Sequence, residues 1–134
     1  MLIWLASQIQ DTHKLEIEVK ELGRRCKMSN GMRVLLYQAT RELLFNVVKH
    51  AAAKHATVEI RLANGTLGID VTDDGRGFEA QTVLGPDSSE HFGLNSLHES
   101  LSLFGGSLGI ESQPGGGARV RMHVPQARLN EDAP

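Results

Sequence analysis

Apolar and polar residues alternate with a period of two in several short segments of the chain. This rhythm is typical of strands that are buried on one face only. The segments are residues 15–19 (LEIEV), 56–62 (ATVEIRL), 66–72 (TLGIDVT), 107–112 and 118–124. Asn64 and Gly65 join the second segment to the third, and an Asn-Gly pair is the strongest short-range hairpin signal. Residues 113–117 join the last two segments and predict a second hairpin, whereas residues 15–19 predict an edge strand.

Two other segments place apolar residues three or four positions apart, as an amphipathic helix does. Residues 32–50 contain no glycine or proline and predict a long helix with one buried face, whose start Asn30 could cap. Its apolar row is Leu36, Ala39, Leu43 and Val47. Residues 94–104 predict a second helix, which Gly105 and Gly106 close.

Helices and hairpins in this order favour an α/β two-layer sandwich. We expect a mixed β-sheet of about five strands with about three helices on one face. Residues 1–13 are interpreted as the end of an upstream helix or the edge of a fragment, residues 14–125 as the functional domain, and residues 126–134 as a flexible tail.

Composition narrows the class of protein. The chain has 134 residues, 40% of them hydrophobic and 22% charged, which fits one soluble globular domain. A net charge of −2 argues against a dedicated nucleic-acid binder. Cys26 is the only cysteine, so the sequence predicts no disulfide framework and favours a reducing, intracellular setting. No apolar run approaches the roughly 20 residues of a membrane-spanning helix.

The long helix carries a polar row beside its apolar one. Glu42, Asn46 and Lys49 are spaced by four and three residues, and His50 lies four after Asn46. Such offsets share one helix face. A carboxylate, a carboxamide and a cation side by side could hold a metal–phosphate group. On spacing alone, a solvated helix face with a Glu42–Asn46 pair is the favoured explanation of this row.

Asp73 continues the inward parity of the strand at residues 66–72. A carboxylate aimed at the apolar side needs hydrogen-bond donors, because buried charge is costly. Gly75 and Gly77 follow it, so the backbone there could approach a ligand closely. The arrangement could receive the amino group of a planar ring. Alternatively, Asp73 caps the turn by bonding backbone amides.

A loop of about twenty residues separates Asp73 from the second helix, and loops of that length are usually functional or disordered. At its end, the HFGL sequence of residues 91–94 offers helix-start amides that could bind an anion, or a simple glycine hinge. The glycines of residues 115–117 by themselves indicate only a tight turn. The histidines show no ligand spacing for a metal site.

Four motifs that occur in a fixed order indicate a protein family far more specifically than any one of them alone. RELLFNVVKHA (residues 41–51) resembles the N box of histidine-kinase catalytic domains, and DDGRGF (73–78), HFGL (91–94) and PGGGARV (114–120) resemble their three glycine boxes. The resemblance covers roughly residues 15–125. It implies the Bergerat ATP-binding fold of the GHKL ATPase superfamily. The ending of the N box and the short lid are most similar to sensor kinases that pair with LuxR-type response regulators.

The resemblance implies a role for each matching residue. Asp73 would accept the adenine amino group, Asn46 would ligate Mg²⁺, and Glu42 would orient or deprotonate the incoming nucleophile. Residues 79–92 would form a mobile lid. The implied ATP-binding set is Asn46, Lys49, His50, Asp73, Gly75, Gly77, Phe78, Gly93, Leu94 and Ala118.

The implied function is transfer of the ATP γ-phosphate to a histidine on a separate helical dimerisation domain, with a response regulator as a further partner. The isolated domain would be a cytoplasmic monomer that contacts neither membrane nor nucleic acid. Two alternatives stay open: a nucleotide-sensing module without transfer, and an ATP hydrolase or anti-sigma-type serine kinase.

The sequence departs from the family pattern at two positions. Ala118 stands where the third glycine box usually has threonine, and Ser100 stands near a common arginine position. The missing hydroxyl predicts adenine binding weaker by about 1 kcal/mol, the scale of one hydrogen bond. Because Ser100 carries no positive charge, it cannot make the cationic contact that an arginine near this position would make.

Overall fold

A computed structural model describes residues 2–13, 15–23, 27–51, 53–75, 94–112 and 116–130. Within these ranges, three α-helices pack against five strands. The helices are α1 (Leu2–His13), α2 (Asn30–Asn46) and α3 (Leu94–Ser102). The strands are β1 (Glu16–Gly23), β2 (His55–Ala63), β3 (Thr66–Asp73), β4 (Ser107–Ser112) and β5 (Ala118–Pro125).

The strands form one sheet in the order β1-β2-β3-β5-β4. β1 lies at the edge and is parallel to β2, while the other neighbours are antiparallel. This confirms the mixed α/β sandwich and the predicted edge strand. Residues of one parity are buried towards the helices, as Ile69 opposite Met122 and Val71 opposite Val120 show. The other face of the sheet carries polar and charged side chains.

The first hairpin turns where the sequence predicts it. Asn64 and Gly65 both have positive φ, 54° and 74°, which is the signature of a type I′ turn. β2 and β3 therefore pair in a register that places Val58 opposite Val71. In this register, Asp73 lies at the end of β3, on the same face of the sheet as the buried residues Ile69 and Val71.

Helix α2 differs from the prediction at both ends. Ser29, not Asn30, is the N-cap, because its Oγ accepts the Met32 N–H at 3.1 Å. The α-helical hydrogen bonding ends at Asn46, and residues Val47–Ala51 form a π-helical turn instead of continuing the helix to residue 50. The buried face is as predicted, with Leu36, Ala39 and Leu43 in the core.

Helix α3 ends two residues before the predicted boundary at Phe104, but Phe104 itself is buried. Gly105 has φ 71°, its N–H donates to Ser102 O at 3.0 Å, and the Gly106 N–H donates to Leu101 O at 2.8 Å. These paired bonds are a Schellman motif, which confirms the glycine pair as the helix stop.

Described segments near both ends of the chain contribute to the core, whereas residues 131–134 of the predicted tail lie outside the described residues. Leu5 and Ile9 of α1 are buried in the same cluster as the sheet. The region predicted as a flexible tail begins instead with a 3₁₀ turn at Gln126–Arg128, and Leu129 is fully buried. The Ser29 N–H donates to Leu129 O at 2.9 Å, so this segment supports the start of α2. Where the functional domain begins and ends along a longer protein stays a prediction.

Candidate functional site

Asp73 ends β3 on the helix-facing side of the sheet. Its register partners are Ala56 on β2 and Ala118 on β5, and both alanines are buried. Asp73 itself is half-buried. The predicted inward placement of this carboxylate is therefore confirmed, and small side chains flank it on both neighbouring strands.

Backbone amides supply the donors that this carboxylate needs. Asp73 Oδ1 accepts the Gly75 N–H at 2.8 Å, and the Ala118 N–H also bonds the carboxylate. Burial raises the pKa of Asp73, the two amides oppose that rise, and the charge of Asp74 adds to it. The turn-capping interpretation is thus realised. The Asp73 carboxylate can still accept further hydrogen bonds, because a carboxylate has about four lone-pair sites.

A cleft of about 510 Å³ opens beside this carboxylate. Asp73, Ser112, Gly117 and Ala118 are among the residues that line it. Ser112 lies opposite Ala118 in register, and its Oγ donates to Gly117 O at 3.0 Å. Ser112 was not singled out by the sequence, although the predicted pairing of the second hairpin brings it beside Ala118.

Gly117 forms part of the wall of this cleft. It has φ 77°, and a Cβ on it would lie 2.5 Å from the Asp73 carbonyl oxygen. The glycine run that by itself indicated only a tight turn therefore also permits close packing on Asp73. A sequence motif alone does not distinguish these two requirements.

The polar row of α2 is only partly preserved. Glu42 and Asn46 are both half-buried on the last turn of the helix, as their spacing predicts. Lys49 and His50 instead fall on the π-helical turn, where the α-helical offset no longer holds. The Lys49 ammonium is 5.8 Å from the centre of the Phe45 ring, close enough for a cation–π contact.

Much of the predicted nucleotide-binding set lies outside the described residues. Gly77, Phe78, Gly93, the lid at 79–92 and the side chain of His50 belong there. Gly75 and Leu94 are described and buried. Among the described residues, the cleft at Asp73 is not lined by Asn46. A cavity shared by Asp73 and Asn46 therefore stays a prediction.

A second groove, of about 450 Å³, lies on the open face of the sheet. Its charged side chains are largely paired with one another. Arg119 donates through Nε and Nη2 to Asp70 Oδ2, and Arg61 lies 3.3 Å from Glu59. The cleft at Asp73 is also lined by Arg119 and Glu111, but its half-buried Asp73 carboxylate is bonded to backbone amides and not to a cation, so it is the better candidate for a polar ligand.

The chemistry available to a metal ion is limited in the described ranges. They contain no group of three or more His, Cys, Asp or Glu side chains that could hold a metal. Asn46 offers an amide oxygen at the end of α2, and Mg²⁺ commonly uses few protein oxygens together with phosphates and water. None of the described helices combines the length and the apolar character needed to cross a lipid bilayer.

Comparison with known proteins decides the family. Residues 31–128 match the family described as histidine kinase-, DNA gyrase B- and HSP90-like ATPases. The chain belongs to this ATPase family. The matched range includes all of α2 except its first residue, together with Asp73 and the Gly117–Ala118 segment, so the site lies within the part of the chain that defines the family.

Sensor histidine kinases are among the similar proteins. The chain is 33% identical over 98 residues to the sensor histidine kinase LiaS of Bacillus subtilis (strain 168), a match that covers 73% of this chain and 26% of LiaS. The chain thus spans about a quarter of that relative. It is the kind of ATPase-family domain that sensor histidine kinases contain.

Solved structures share the fold. The histidine kinase AdeS of Acinetobacter baumannii superposes with a TM-score of 0.75 at 14% identity, covering 97% of this chain and 64% of AdeS. Full-length ShkA in complex with AMPPNP superposes with a TM-score of 0.76 at 18% identity, covering 92% of this chain and 29% of ShkA. These similarities confirm the predicted two-layer fold.

Proposed function

We propose that the chain is the ATP-binding catalytic domain of a sensor histidine kinase and that it transfers the γ-phosphate of ATP to a histidine on a separate helical dimerisation domain. The observation that carries the proposal is Asp73. Its half-buried carboxylate ends β3 beside a cleft, is oriented by two backbone amides and keeps acceptor capacity for a ligand. Family membership over residues 31–128 supports ATP as that ligand.

Recognition of adenine follows from the chemistry of a carboxylate. The ionised Asp73 accepts a hydrogen bond from the exocyclic amino group of the base, while the small side chains of Ala56 and Ala118 leave room for a planar ring. Burial raises the pKa of Asp73, so nucleotide affinity should fall as the pH drops through that raised value. The AMPPNP in the ShkA structure is consistent with an adenine nucleotide.

Asn46 is the residue that would hold Mg²⁺, through its side-chain oxygen. When bound, the ion would neutralise phosphate charge, which is a large part of what phosphoryl transfer requires. Glu42 precedes Asn46 by one helical turn and would orient the attacking imidazole or accept its proton. Lys49 and His50 follow on the π-helical turn and would contact phosphates.

The acceptor histidine and the response regulator belong to other domains or proteins in this proposal. The helical dimerisation domain would bring its histidine to the γ-phosphate, and a response regulator would take the phosphate onward. The domain would act as a monomer, because dimerisation belongs to the separate helical domain. It would act in the cytoplasm, since the single cysteine favours a reducing compartment. The pairing with a LuxR-type regulator is part of the same proposal.

Reconstitution tests the transfer step. The chain, Mg²⁺ and γ-labelled ATP are mixed with the helical domain of the same kinase, and labelled protein is assayed for acid-labile, base-stable phosphohistidine. We expect label on the helical domain, and a large loss of labelling with Glu42→Gln but not with the open-face variant Glu59→Gln. Steady phosphate release without labelling would instead identify a hydrolase, phosphoserine a serine kinase, and binding without turnover a sensing module.

A further inference from the structure

His55, the first residue of β2, joins two carboxylates from different parts of the chain. Its Nδ1 lies 2.9 Å from Asp74 Oδ2, and its Nε2 lies 2.9 Å from Glu16 Oε2. Glu16 begins β1, and Asp74 immediately follows β3. One imidazole therefore links three neighbouring strands at the end of the sheet where Asp73 lies.

The backbone reinforces the link to Asp74. Asp74 Oδ1 accepts the N–H groups of Lys54 and His55 at 2.9 and 3.0 Å, and the Asp74 N–H donates to His55 O at 3.2 Å. Asp74 is thus fixed to the start of β2 through its side chain and its main chain. Because Asp74 lies between Asp73 and Gly75, the segment that places the Asp73 carboxylate is fixed with it.

The number of ring contacts that His55 can make as a donor depends on its protonation state. Ionised carboxylates only accept hydrogen bonds, and a neutral imidazole has one N–H to donate. A neutral His55 could therefore satisfy Asp74 or Glu16, but not both. Both ring nitrogens lie at hydrogen-bond distance from carboxylate oxygens, and only the doubly protonated imidazolium can donate to both at once.

We propose that His55 is a positioning residue for the nucleotide site, whose imidazolium ties Asp74 to Glu16, steadies the turn after Asp73, and makes nucleotide binding tighter when His55 is charged than when it is neutral. The inference rests on the proposed function of that site. His55 does not touch the nucleotide in this proposal. It acts through Asp74 on the position of Asp73.

The electrostatics define the pH range of the effect. The hydrogen bond that the His55 ring donates to Asp74 is the main cause that raises the pKa of His55, and the charge of Glu16 adds to it. The bonds from His55 lower the pKa of Asp74 to about 2. The groups that act on the imidazole among the described residues are Glu16 from β1 and Asp74 from the segment after β3.

The sign follows from these directions. The bridge contributes fully below the ordinary pKa of histidine, about 6.5, and is lost as the pH rises through the higher pKa of folded His55. On the acid side, Asp74 keeps its contribution above its ordinary pKa of about 3.9 and loses it as the pH falls towards about 2. The bridge is therefore complete in mildly acidic solution.

Calorimetric binding of ATP with Mg²⁺ tests the proposal, using the whole chain at pH 6 and pH 8.5. The matched variant is His55→Gln, because glutamine can donate to Asp74 but carries no charge at either pH. We expect wild type to bind about two- to five-fold more tightly than His55→Gln at pH 6, a modest factor because all three side chains are exposed. At pH 8.5 the two affinities should converge. Titration of the nucleotide itself affects both proteins equally and cancels in the ratio.

Two further variants sharpen the result. Glu16→Gln leaves Asp74 as the only carboxylate on the ring, so its affinity should change less with pH than that of wild type. His123→Gln, on the open face of the sheet, is the control and should behave as wild type at both pH values. A wild-type to His55→Gln ratio that is the same at both pH values would overturn the inference while leaving the proposed function intact.

A readout without nucleotide separates the two proposals. The pKa of His55, followed by NMR, should lie above about 6.5 in wild type and fall towards that value in Asp74→Asn. A His55 pKa that is unchanged by Asp74→Asn would show that the bridge does not form. If wild type binds no nucleotide at any pH, the proposed function fails and this inference fails with it, whatever the titration gives.

Discussion

Replacing Gly117 with alanine probes the close packing between the last hairpin and Asp73. Gly117 has φ 77°, and an added Cβ would lie 2.5 Å from the Asp73 carbonyl oxygen. Gly65 provides the matched control, because its φ is 74° but no atom lies within 4 Å of an added Cβ. The two substitutions therefore share the backbone cost and differ in the steric contact.

The magnitudes follow from these two contributions. Alanine in the left-handed region costs about 1–2 kcal/mol, so Gly65→Ala should lower the free energy of unfolding by that amount. Gly117→Ala adds an overpacking cost of about 1–3 kcal/mol, for a total of about 2–5 kcal/mol. In a domain of this size, each kcal/mol corresponds to a fall in melting temperature of about 4 °C.

Urea unfolding followed by far-UV circular dichroism measures the free energies, and calorimetry with ATP measures the effect on the site. Gly117→Ala should weaken nucleotide binding as well as stability, because Asp73 must move, whereas Gly65→Ala should change stability alone. Gly109→Ala is a further control, since an added Cβ there meets nothing within 4 Å. Equal destabilisation by Gly117→Ala and Gly65→Ala would refute the packing of Gly117 on Asp73.

Other substitutions test separate parts of the structure. Ala118→Thr should restore a hydroxyl to the cleft and tighten ATP binding by about 1 kcal/mol, and unchanged affinity would count against the role given to this position. Ser112→Ala removes the hydrogen bond to Gly117 O and should lower stability by about 1 kcal/mol in urea unfolding. Leu129→Ala should lower the free energy of unfolding by about 2–5 kcal/mol, because the side chain is fully buried. If this segment were frayed, the same substitution would leave the unfolding curve almost unchanged.

Most of the fold was predictable from the sequence because its turns, helix stops and strand faces are determined by short segments of a few residues. Asn64-Gly65 sets a hairpin turn through its positive φ angles, and Gly105-Gly106 ends α3 through a Schellman motif. Strict alternation in β3 fixed the parity of Asp73. Each of these features is decided by backbone geometry that a short segment determines on its own.

The features that sequence patterns did not predict depend on contacts between distant segments or on choices between equivalent residues. Serine and asparagine are both favoured N-cap residues, and the sequence pattern does not show whether Ser29 or Asn30 takes that position. Leu129 is a single apolar residue in a polar segment, so no periodicity marks it as buried. The π-helical turn after Asn46 interrupts a pattern that reads as one continuous helix.

The candidate site was predictable to the extent that its residues end regular elements. Asp73 could be placed from strand parity, and Glu42 and Asn46 from helical spacing. The bridge from His55 to Asp74 and Glu16 could not be placed, because it requires the parallel pairing of β1 with β2 as well as the β2–β3 hairpin. The sequence predicts a mixed sheet but does not indicate which two strands pair in parallel.

Calorimetric titration of the chain with ATP and Mg²⁺, comparing wild type with Asp73→Asn, tests whether this carboxylate recognises the purine. Wild type should bind, and Asp73→Asn should lose affinity by roughly ten-fold or more, as expected when a charge-assisted hydrogen bond worth about 1.5–3 kcal/mol is removed. Unfolding curves that match those of wild type would show that the variant is folded. A folded Asp73→Asn variant that binds ATP as tightly as wild type would contradict the adenine-binding role of Asp73.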